Sequence, residues 1–516
     1  MGQLLGMPFS AGLGLLVIGM GVVGVWGWRR WLKMQRYKSL RSLPSPPKHW
    51  LLGHIPPLLA AIKNRQLFQI LFDWSQEFGP KCVYWVGYPV VMLSQAKLID
   101  NTIVQGTRDG SLVRTGQSQR AWNELMGPIM IGQEGAEWQW RRKAWNPEFS
   151  SSGINHYLGL VDQACSQVIA DLHAAPPNEP VPLDPLFVEL TMRVIAALVL
   201  GIPIDPDEPS PEGPPLAIEP TYNAMAVLTY RFLRVAVGEK AWQKYLPTQA
   251  AKDYWAARRH FETFLASRID LALQLRDGEP AALAKASPLF QQSMLVKIAA
   301  KEPRYTRATL LPEIIEMLIA GTDTTAHTLS FAVGELALNP DAFEKAQATV
   351  DRVFERHDTI TLTSLKELGY LSGVIKETLR LYSVASGTTS LQATRDIVVD
   401  GLEIPAGTRL FWSMLGAGRD PDAYPHPEKF WPDRWLSDDR HVPAPPMIDF
   451  GSGPHRCLGE HLAMLESTLM LAQLLRHFSW ELVNGRSSLE NLKQNLLIYP
   501  VDRMPVYLQS RSPVVA

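Results

Sequence analysis

The residue with the most chemical potential in this 516-residue chain is a cysteine near its end. Cys457 stands in Phe450-Gly451-Ser452-Gly453-Pro454-His455-Arg456-Cys457-Leu458-Gly459, and a helical pattern over residues 460–478 follows at once. A sulfur just ahead of a helix N-terminus meets free backbone N–H groups and the positive end of the macrodipole, which favour the thiolate, the form that binds metals. Gly453 and Gly459 allow tight turns and let a flat ligand come close to the backbone. Three further groupings have spacings that suit chemistry. Glu377 and Arg380 lie three apart in a helical pattern over 368–381, so carboxylate and guanidinium share one face; alone, such a pair reads as a solvated ion pair. Ala320-Gly321-Thr322-Asp323-Thr324-Thr325 puts an acid beside hydroxyls inside an apolar stretch, where the plain reading is a local kink with Thr hydroxyls bonded to the preceding turn. Trp138 and Arg142 present an indole and a permanent cation suited to bidentate binding of a carboxylate. The other cysteines, Cys82 and Cys165, read as small buried apolar residues. Three scattered cysteines make neither a disulfide framework nor a paired zinc spacing, which points to a reducing compartment.

The elements that must hold these groups are mainly helices. Apolar residues recur at three- and four-residue spacing over 188–200, 254–275 and 462–478, and Pro312 opens an apolar stretch to Asn339-Pro340, about 27 residues or about 40 Å as a helix. Short β-like runs at 82–93 and around 397–404, the second ending in Ile404-Pro405-Ala406-Gly407, predict a minor sheet. No fixed-period repeat suggests a solenoid. Length alone suggests about three domains, but matching motifs flank the proline-rich stretch 203–220, which therefore reads as a long surface loop within one domain. With 46% hydrophobic residues, 20% charged residues and a net charge of -1, bulk charge offers nothing to nucleic acid. At the N-terminus, residues 1–28 carry no charge and 11–28 read AGLGLLVIGMGVVGVWGW, near the roughly 20 residues that cross a bilayer. Arg29, Arg30, Lys33, Arg36 and Lys38 follow, an order that predicts a retained signal anchor with the rest of the chain on the cytoplasmic side. The division is then 1–28 as transmembrane anchor, 29–48 as a basic and proline-rich hinge, and 49–516 as the catalytic domain.

Together these motifs resemble the cytochrome P450 family. F-x-x-G-x-x-x-C-x-G at 450–459 is similar to its haem-binding signature; Glu377-Thr378-Leu379-Arg380 is similar to its E-x-x-R; Phe430-Trp431-Pro432-Asp433-Arg434-Trp435 is similar to its P-E-R-F segment, with Asp433 in the Glu position. A-G-x-D-T-T at 320–325 matches the oxygen-binding signature, and Trp138 to Arg142 resembles W-x-x-x-R. The resemblance runs from about Leu43 to Val506. It implies a mainly α fold with a minor β-sheet portion, preceded here by one transmembrane helix. It implies haem b with Cys457 as axial ligand, Phe450, Gly453 and Gly459 shaping the cysteine loop, and Glu377, Arg380 and Arg434 as a buried triad that fixes that loop. Ala320 and Gly321 would leave room for dioxygen, while Asp323 and Thr324 would deliver its protons. Trp138, Arg142 and His455 would hold haem propionates. One departure is Leu391-Gln392 where the family often has another Arg, with Arg395 displaced from the pattern, which leaves the second propionate without an assigned partner.

The reaction implied is insertion of one oxygen atom from O2 into a lipophilic small molecule such as a lipid, sterol, terpenoid or fatty acid. Electrons would come from NAD(P)H through an external reductase or ferredoxin, since the chain shows no flavin or iron–sulfur motif. A basic face including Arg141, Lys143 and Arg456 is the expected docking surface for that donor. Expected pocket walls are 112–131, Met317, Ala320, the loop 384–389 with Val384 and Ala385, and the turn at Met504. The anchor predicts a single-pass membrane protein, in the endoplasmic reticulum of a eukaryote or the inner membrane of a bacterium. Two other functions stand beside this one: a haem-thiolate isomerase or dehydratase that rearranges a peroxide without reductase, against which Asp323-Thr324 counts, and a membrane haem sensor without turnover.

Overall fold

The computed structural model describes residues 35–236, 240–357, 359–386, 390–436 and 446–511. The apolar run 11–28 and the basic residues Arg29, Arg30 and Lys33, and with them the expected anchor, lie outside these residues, as do Gly387, Thr388 and Thr389. Among the described residues no helix is long and apolar enough to cross a membrane.

The helices that carry the site are α1 (Ala96–Arg108), α2 (Gly135–Phe149), α3 (Leu158–Ala174), α4 (Leu183–Leu200), α5 (Ile218–Ala236), α6 (Gln249–Arg276), α7 (Arg307–Leu338), α8 (Gly369–Tyr382) and α9 (Glu460–His477). Of these, α7 runs for 32 residues, about 48 Å at the usual rise, and forms the axis of the helical core. It begins earlier than its sequence suggests. Thr306 and Thr309 cap it reciprocally, and Pro312 falls in the second turn, where it forfeits one backbone bond without ending the helix. Nearly every face of α7 is apolar because nearly every face is buried. Its hydroxyls stay satisfied by bonding back: Thr322, Thr324, Thr328 and Ser330 each donate to the carbonyl four residues earlier, at 2.7–3.1 Å. Asn339 leaves the helical region at φ -128° because Pro340 follows. In α9, Glu460 occupies the first turn and Arg476 and His477 the last, the arrangement that the helix dipole favours.

The strands are short. A five-stranded sheet has the order β1 (Lys81–Trp85), β2 (Pro89–Leu93), β8 (Arg409–Trp412), β5 (Leu391–Ala393) and β3 (Leu112–Arg114), with β2 and β8 parallel and the other neighbours antiparallel. Three smaller sheets join β4 (Val181–Pro182) to β12 (Pro505–Ser510) and β9 (Phe478–Leu482), β6 (Ile397–Val399) to β7 (Leu402–Ile404), and β10 (Leu492–Gln494) to β11 (Ile498–Pro500). The β-like run 82–93 is thus a hairpin. So is 397–404, where Asp400 and Gly401 turn the chain in left-handed geometry at φ +46° and +75°, as a two-residue hairpin loop requires.

Two expected linkers are tied into the fold. Within the segment taken as a hinge, Leu40 is fully buried, the Pro44 carbonyl accepts from the Val83 N–H at 2.9 Å, and the Pro46 carbonyl lies 2.9 Å from His54 Nε2. The proline-rich stretch after α4 is a loop whose last residues start α5; Arg268 of α6 donates to Ser210 at 2.9 Å and Glu212 accepts from the Ser287 N–H at 2.6 Å.

Candidate active site

The loop before α9 is built to aim a sulfur. The Cys457 N–H donates to the Phe450 carbonyl at 2.7 Å, closing a narrow turn, and the Gly451 N–H donates to Ile448 at 2.7 Å. Gly453 sits at φ +66°, and a Cβ there would lie 2.9 Å from Thr107 Oγ1 of α1, so glycine is needed for both conformation and approach. Cys457 is exposed where it lines a cavity, in otherwise buried surroundings. Burial pushes its thiol pKa up, against the pull of the Gly459 N–H, Arg142 and Arg456. The helix terminus therefore does not by itself make a thiolate; a cation bound to the sulfur would.

The cavity holds about 360 Å³ and runs from Cys457, Phe450 and Gly459 on one side to α7 on the other. Met317, Ala320, Gly321, Thr324, Thr325 and Thr328 form the α7 wall, and Met130, Ile131, Ile195, Val384, Ala385 and Leu391 close the sides. Four sequence-based assignments change here. Met504 does not line the cavity: it is fully buried in a separate apolar cluster, against the space where Gly334 lacks a side chain. Gly321 does line it, but its missing Cβ is explained on the far side, where a methyl would lie 2.8 Å from Ile195 of α4; the glycine lets α4 and α7 cross closely. Asp323, one residue along the helix from Thr324, faces away from the cavity, with Tyr222 donating to its carboxylate and Oδ1 buried without a partner. Arg141 cannot belong to a docking face, since it is buried and paired with Glu137 and Glu313 at 2.5 and 2.6 Å. Of the segment 112–131, Arg114, Met130 and Ile131 reach the cavity.

Polar groups collect at one edge. Trp138 and Arg142, one turn apart on α2, both line the cavity, and the Trp138 ring meets His455 edge-on at 4.4 Å. His455 lies 3.4 Å from Glu134 through Nε2, while its Nδ1 is buried without a partner. Among the described residues no carboxylate pairs with Arg142, and the titratable group that bears on it is the Cys457 thiol. Arg114, unnoticed in the sequence, completes this edge, held by the Gln133 carbonyl at 2.7 Å and close to Glu134 and Glu316. It stands where Leu391-Gln392 left a gap, whereas Arg395 pairs with Asp109 on the surface at 2.9 Å. These features fit a haem: a sulfur that lines the void, Gly459 with nothing within 4 Å of where its side chain would be, an orphaned ring nitrogen and two arginines that, among the described residues, form no ion pair with a carboxylate.

Glu377, Arg380 and Arg434 come together in the interior. Arg380 makes a two-pronged pair with Glu377 at 2.7 and 2.9 Å, and Arg434 Nε reaches the same carboxylate at 3.0 Å. Trp435 Nε1 and the Trp431 N–H fill its remaining sites at 2.9 and 2.8 Å. The spare guanidinium donors bind carbonyls of Gly418, Pro427, Lys429 and Pro425. Buried charges are tolerable only when so fully bonded. Asp433 stays outside the network and pairs with Lys345. Glu316, also missed in the sequence, accepts the Met130 and Ile131 N–H groups at 2.7 and 2.8 Å, and burial pushes its pKa up to about 8.

Known proteins similar to this chain point to one family. The family model described as Cytochrome P450 matches residues 43–504. The chain is similar to Cytochrome P450 4c21 of Blattella germanica, 23% identical over 93% of this chain and 95% of that protein. It is also similar to Cytochrome P450 4V2 of Mus musculus (25% identical; 92% and 91% covered) and to Thromboxane-A synthase of Sus scrofa (26% identical; 79% and 82% covered).

Proposed function

The chain belongs to the cytochrome P450 family, and from that membership we propose that it inserts one oxygen atom from O2 into a lipophilic small molecule, using electrons from an external reductase or ferredoxin. The observation that carries this reading is a single cavity with a cysteine sulfur at one side and the Ala320–Thr324 turn of α7 at the other. When bound, haem would supply the activation of dioxygen and the transfer of its oxygen to substrate, and Cys457 is the residue whose sulfur would hold its iron.

The chain's own residues bind, orient and meter protons. Arg142, His455, Arg114 and Trp138 line the edge where they would hold the propionates, and the backbone hydrogen bond from Cys457 to the Phe450 carbonyl keeps the cysteine loop in its turn. The Glu377 network pins the segment 418–436 against α8 and so steadies the approach to the cysteine loop. The Thr324 hydroxyl, bonded to the Ala320 carbonyl at 2.7 Å, rotates to pass a proton into the cavity. Isoleucine, methionine and valine side chains make much of the wall apolar, and the Thr324 hydroxyl offers a polar route for a proton through it. The same walls favour an apolar substrate, as does an N-terminal anchor that would hold the domain at a membrane.

The test is optical and chemical. The ferrous protein under carbon monoxide is expected to give the red-shifted absorption of a thiolate-ligated haem, and Cys457→Ser to lose it; an equal band in the serine variant overturns the ligand assignment. A panel of fatty acids, sterols and terpenoids is then screened for spin-state change, and product is sought with and without reductant. Product that forms from a peroxide substrate without reductant would favour the rearranging function instead.

A further inference from the structure

Behind the cavity wall, α7 carries a second group of titratable side chains that the reaction as described does not use. Asp184 at the start of α4 is fully buried and lies against His327 of α7, with Oδ1 2.7 Å from His327 Nδ1. Ser330 donates to the same oxygen at 3.0 Å, and Arg503 forms an ion pair with Oδ2 at 3.0 Å. Arg503 is about one-third exposed and sits in a left-handed turn, φ +65°, followed by Met504 at +53°. Two such non-glycine residues in succession are strained, and here both backbone carbonyls are held, by the N–H groups of Asp184 and Leu183 at 3.2 Å each. Tyr222 of α5 bridges Arg503 to Asp323, and Asp323 lies one helical turn from His327.

We propose that the His327–Asp184 pair is the proton reservoir for Asp323, with Arg503 and Tyr222 closing the cluster towards solvent. The proposal rests on the oxygen-activation reading above. His327 is a positioning residue: it acts through the acid and touches neither substrate nor haem. The charged groups facing it are Asp184 from α4, Asp323 from its own helix and Arg503 from the turn before β12, with Tyr222 of α5 beside them and the Tyr499 ring 6.0 Å away, its hydroxyl taking a bond from Arg65. Asp184 holds the imidazole by one nitrogen and favours its charged form, whereas burial pushes Asp323 towards its neutral form. When Asp323 gives its proton towards Thr324, the carboxylate left behind takes one from the imidazolium one turn away, and the neutral imidazole takes one from solvent at the Arg503 edge. Reduction of one dioxygen with insertion of one atom consumes two protons and two electrons, so the reservoir discharges twice per product while the external donor supplies the electrons. Arg503 does not itself give up a proton at ordinary pH; its charge holds the cluster closed.

The test uses the haem-loaded protein with NADPH, a ferredoxin and ferredoxin reductase as surrogate donors, and measures hydrogen peroxide released per dioxygen consumed between pH 6 and 9. In wild type the peroxide share is expected to climb as pH rises and His327 loses its charge. In His327→Gln the share is high at every pH, with flow to water reduced at least about tenfold. Oxidation of guaiacol driven by added hydrogen peroxide, which needs no proton delivery from this cluster to reduced oxygen, stays near wild type. Arg503→Gln, at the exposed edge, is the second variant and is expected to raise the peroxide share in the same direction. A readout free of turnover is the titration of His327 by NMR in the histidine-labelled carbon-monoxide form, which should move to lower pH in Asp323→Asn. Peroxide shares equal to wild type in both variants overturn the relay, as does a His327 titration indifferent to Asp323. Parallel loss of the guaiacol and NADPH reactions in both variants also overturns it, because packing then explains the cluster. A wild-type protein that reduces no dioxygen overturns the oxygen-activation reading itself, and the relay with it.

Discussion

Thr324 and Asp323 are neighbours on α7, about 100° apart round the helix, and only Thr324 lines the cavity, so replacing each tests a different step. Thr324→Ala removes the one of the two that reaches the cavity and is expected to leave haem bound while diverting most reducing equivalents to peroxide; unchanged coupling, measured as product per NADPH, would remove Thr324 from proton delivery. Glu466 of α9 makes a different argument, about stability. It is enclosed, its Oε1 has no partner, and burial alone pushes its pKa up to about 8 from an ordinary 4.5. A carboxyl whose folded value is raised contributes stability that is complete below the unfolded value and is lost as pH climbs through the folded one. Wild-type Tm should therefore fall between about pH 5 and pH 8, and Glu466→Gln should flatten that fall by a few degrees; equal slopes for the two proteins would show that Glu466 ionises at little cost. At this scale the sequence was informative where residue type and spacing sufficed, as with Cys457, and where a family resemblance supplied the rest, as with Trp138 and Arg142. It was silent on direction. Whether Asp323 or Arg141 points at the site depends on neighbours over a hundred residues away, Tyr222 for the one and Glu313 for the other.

Elements hold these side chains in place through close crossings and buried charge. At the α4–α7 crossing, Gly321 admits Ile195, and Gly321→Val would press branched carbons where even a methyl lies 2.8 Å away. The expected result is a loss of about 2 kcal/mol or more by overpacking, seen as a lower Tm together with weaker haem retention. Gly321→Ala should show part of the same loss and Ile195→Val added to it should recover most of that part, whereas a failure to recover would mean that the glycine serves the cavity and not the crossing. The buried network around Glu377 gives a sharper result. Glu377→Gln leaves Arg380 and Arg434 buried without a counter-charge, at a cost of about 3–5 kcal/mol, so the variant is expected to express poorly and without the carbon monoxide band. The helices themselves were legible because long apolar periods survive in the sequence, yet their ends shifted by several residues. Pro312 marks no boundary because α7 is held by burial on nearly every face. The minor sheet was visible as β-like runs, but its order was not, since β2, β8, β5 and β3 come from distant parts of the chain and only packing brings them together.

For the whole molecule, the question is where the folded body begins relative to any membrane anchor. Sequence drew the boundary at 48 on the strength of a proline cluster. The structure ties that cluster to β1, with Leu40 fully buried and the carbonyls of Pro44 and Pro46 both bonded. Proline signals stiffness, but whether a stiff segment spans a gap or lies along a sheet is decided by apolar residues such as Leu40 that find a pocket. Truncation separates the two boundaries. Removing residues 1–34 is expected to yield a domain with unchanged Tm and haem content. Removing 1–48 deletes a fully buried leucine and two backbone acceptors and should cost about 3–5 kcal/mol, read as a drop in Tm and loss of haem. Equal stability of the two forms would restore the hinge. Membrane affinity is read in the same pair by flotation with phospholipid vesicles. Trp50, Leu51, Leu52 and Leu59, and separately Trp242, Tyr245 and Leu246, are exposed apolar side chains on the body itself. If the first 34 residues are the sole anchor, the shorter truncation leaves the vesicles entirely; residual flotation that falls when Trp50 and Trp242 are both changed to Ser would assign part of the affinity to these side chains.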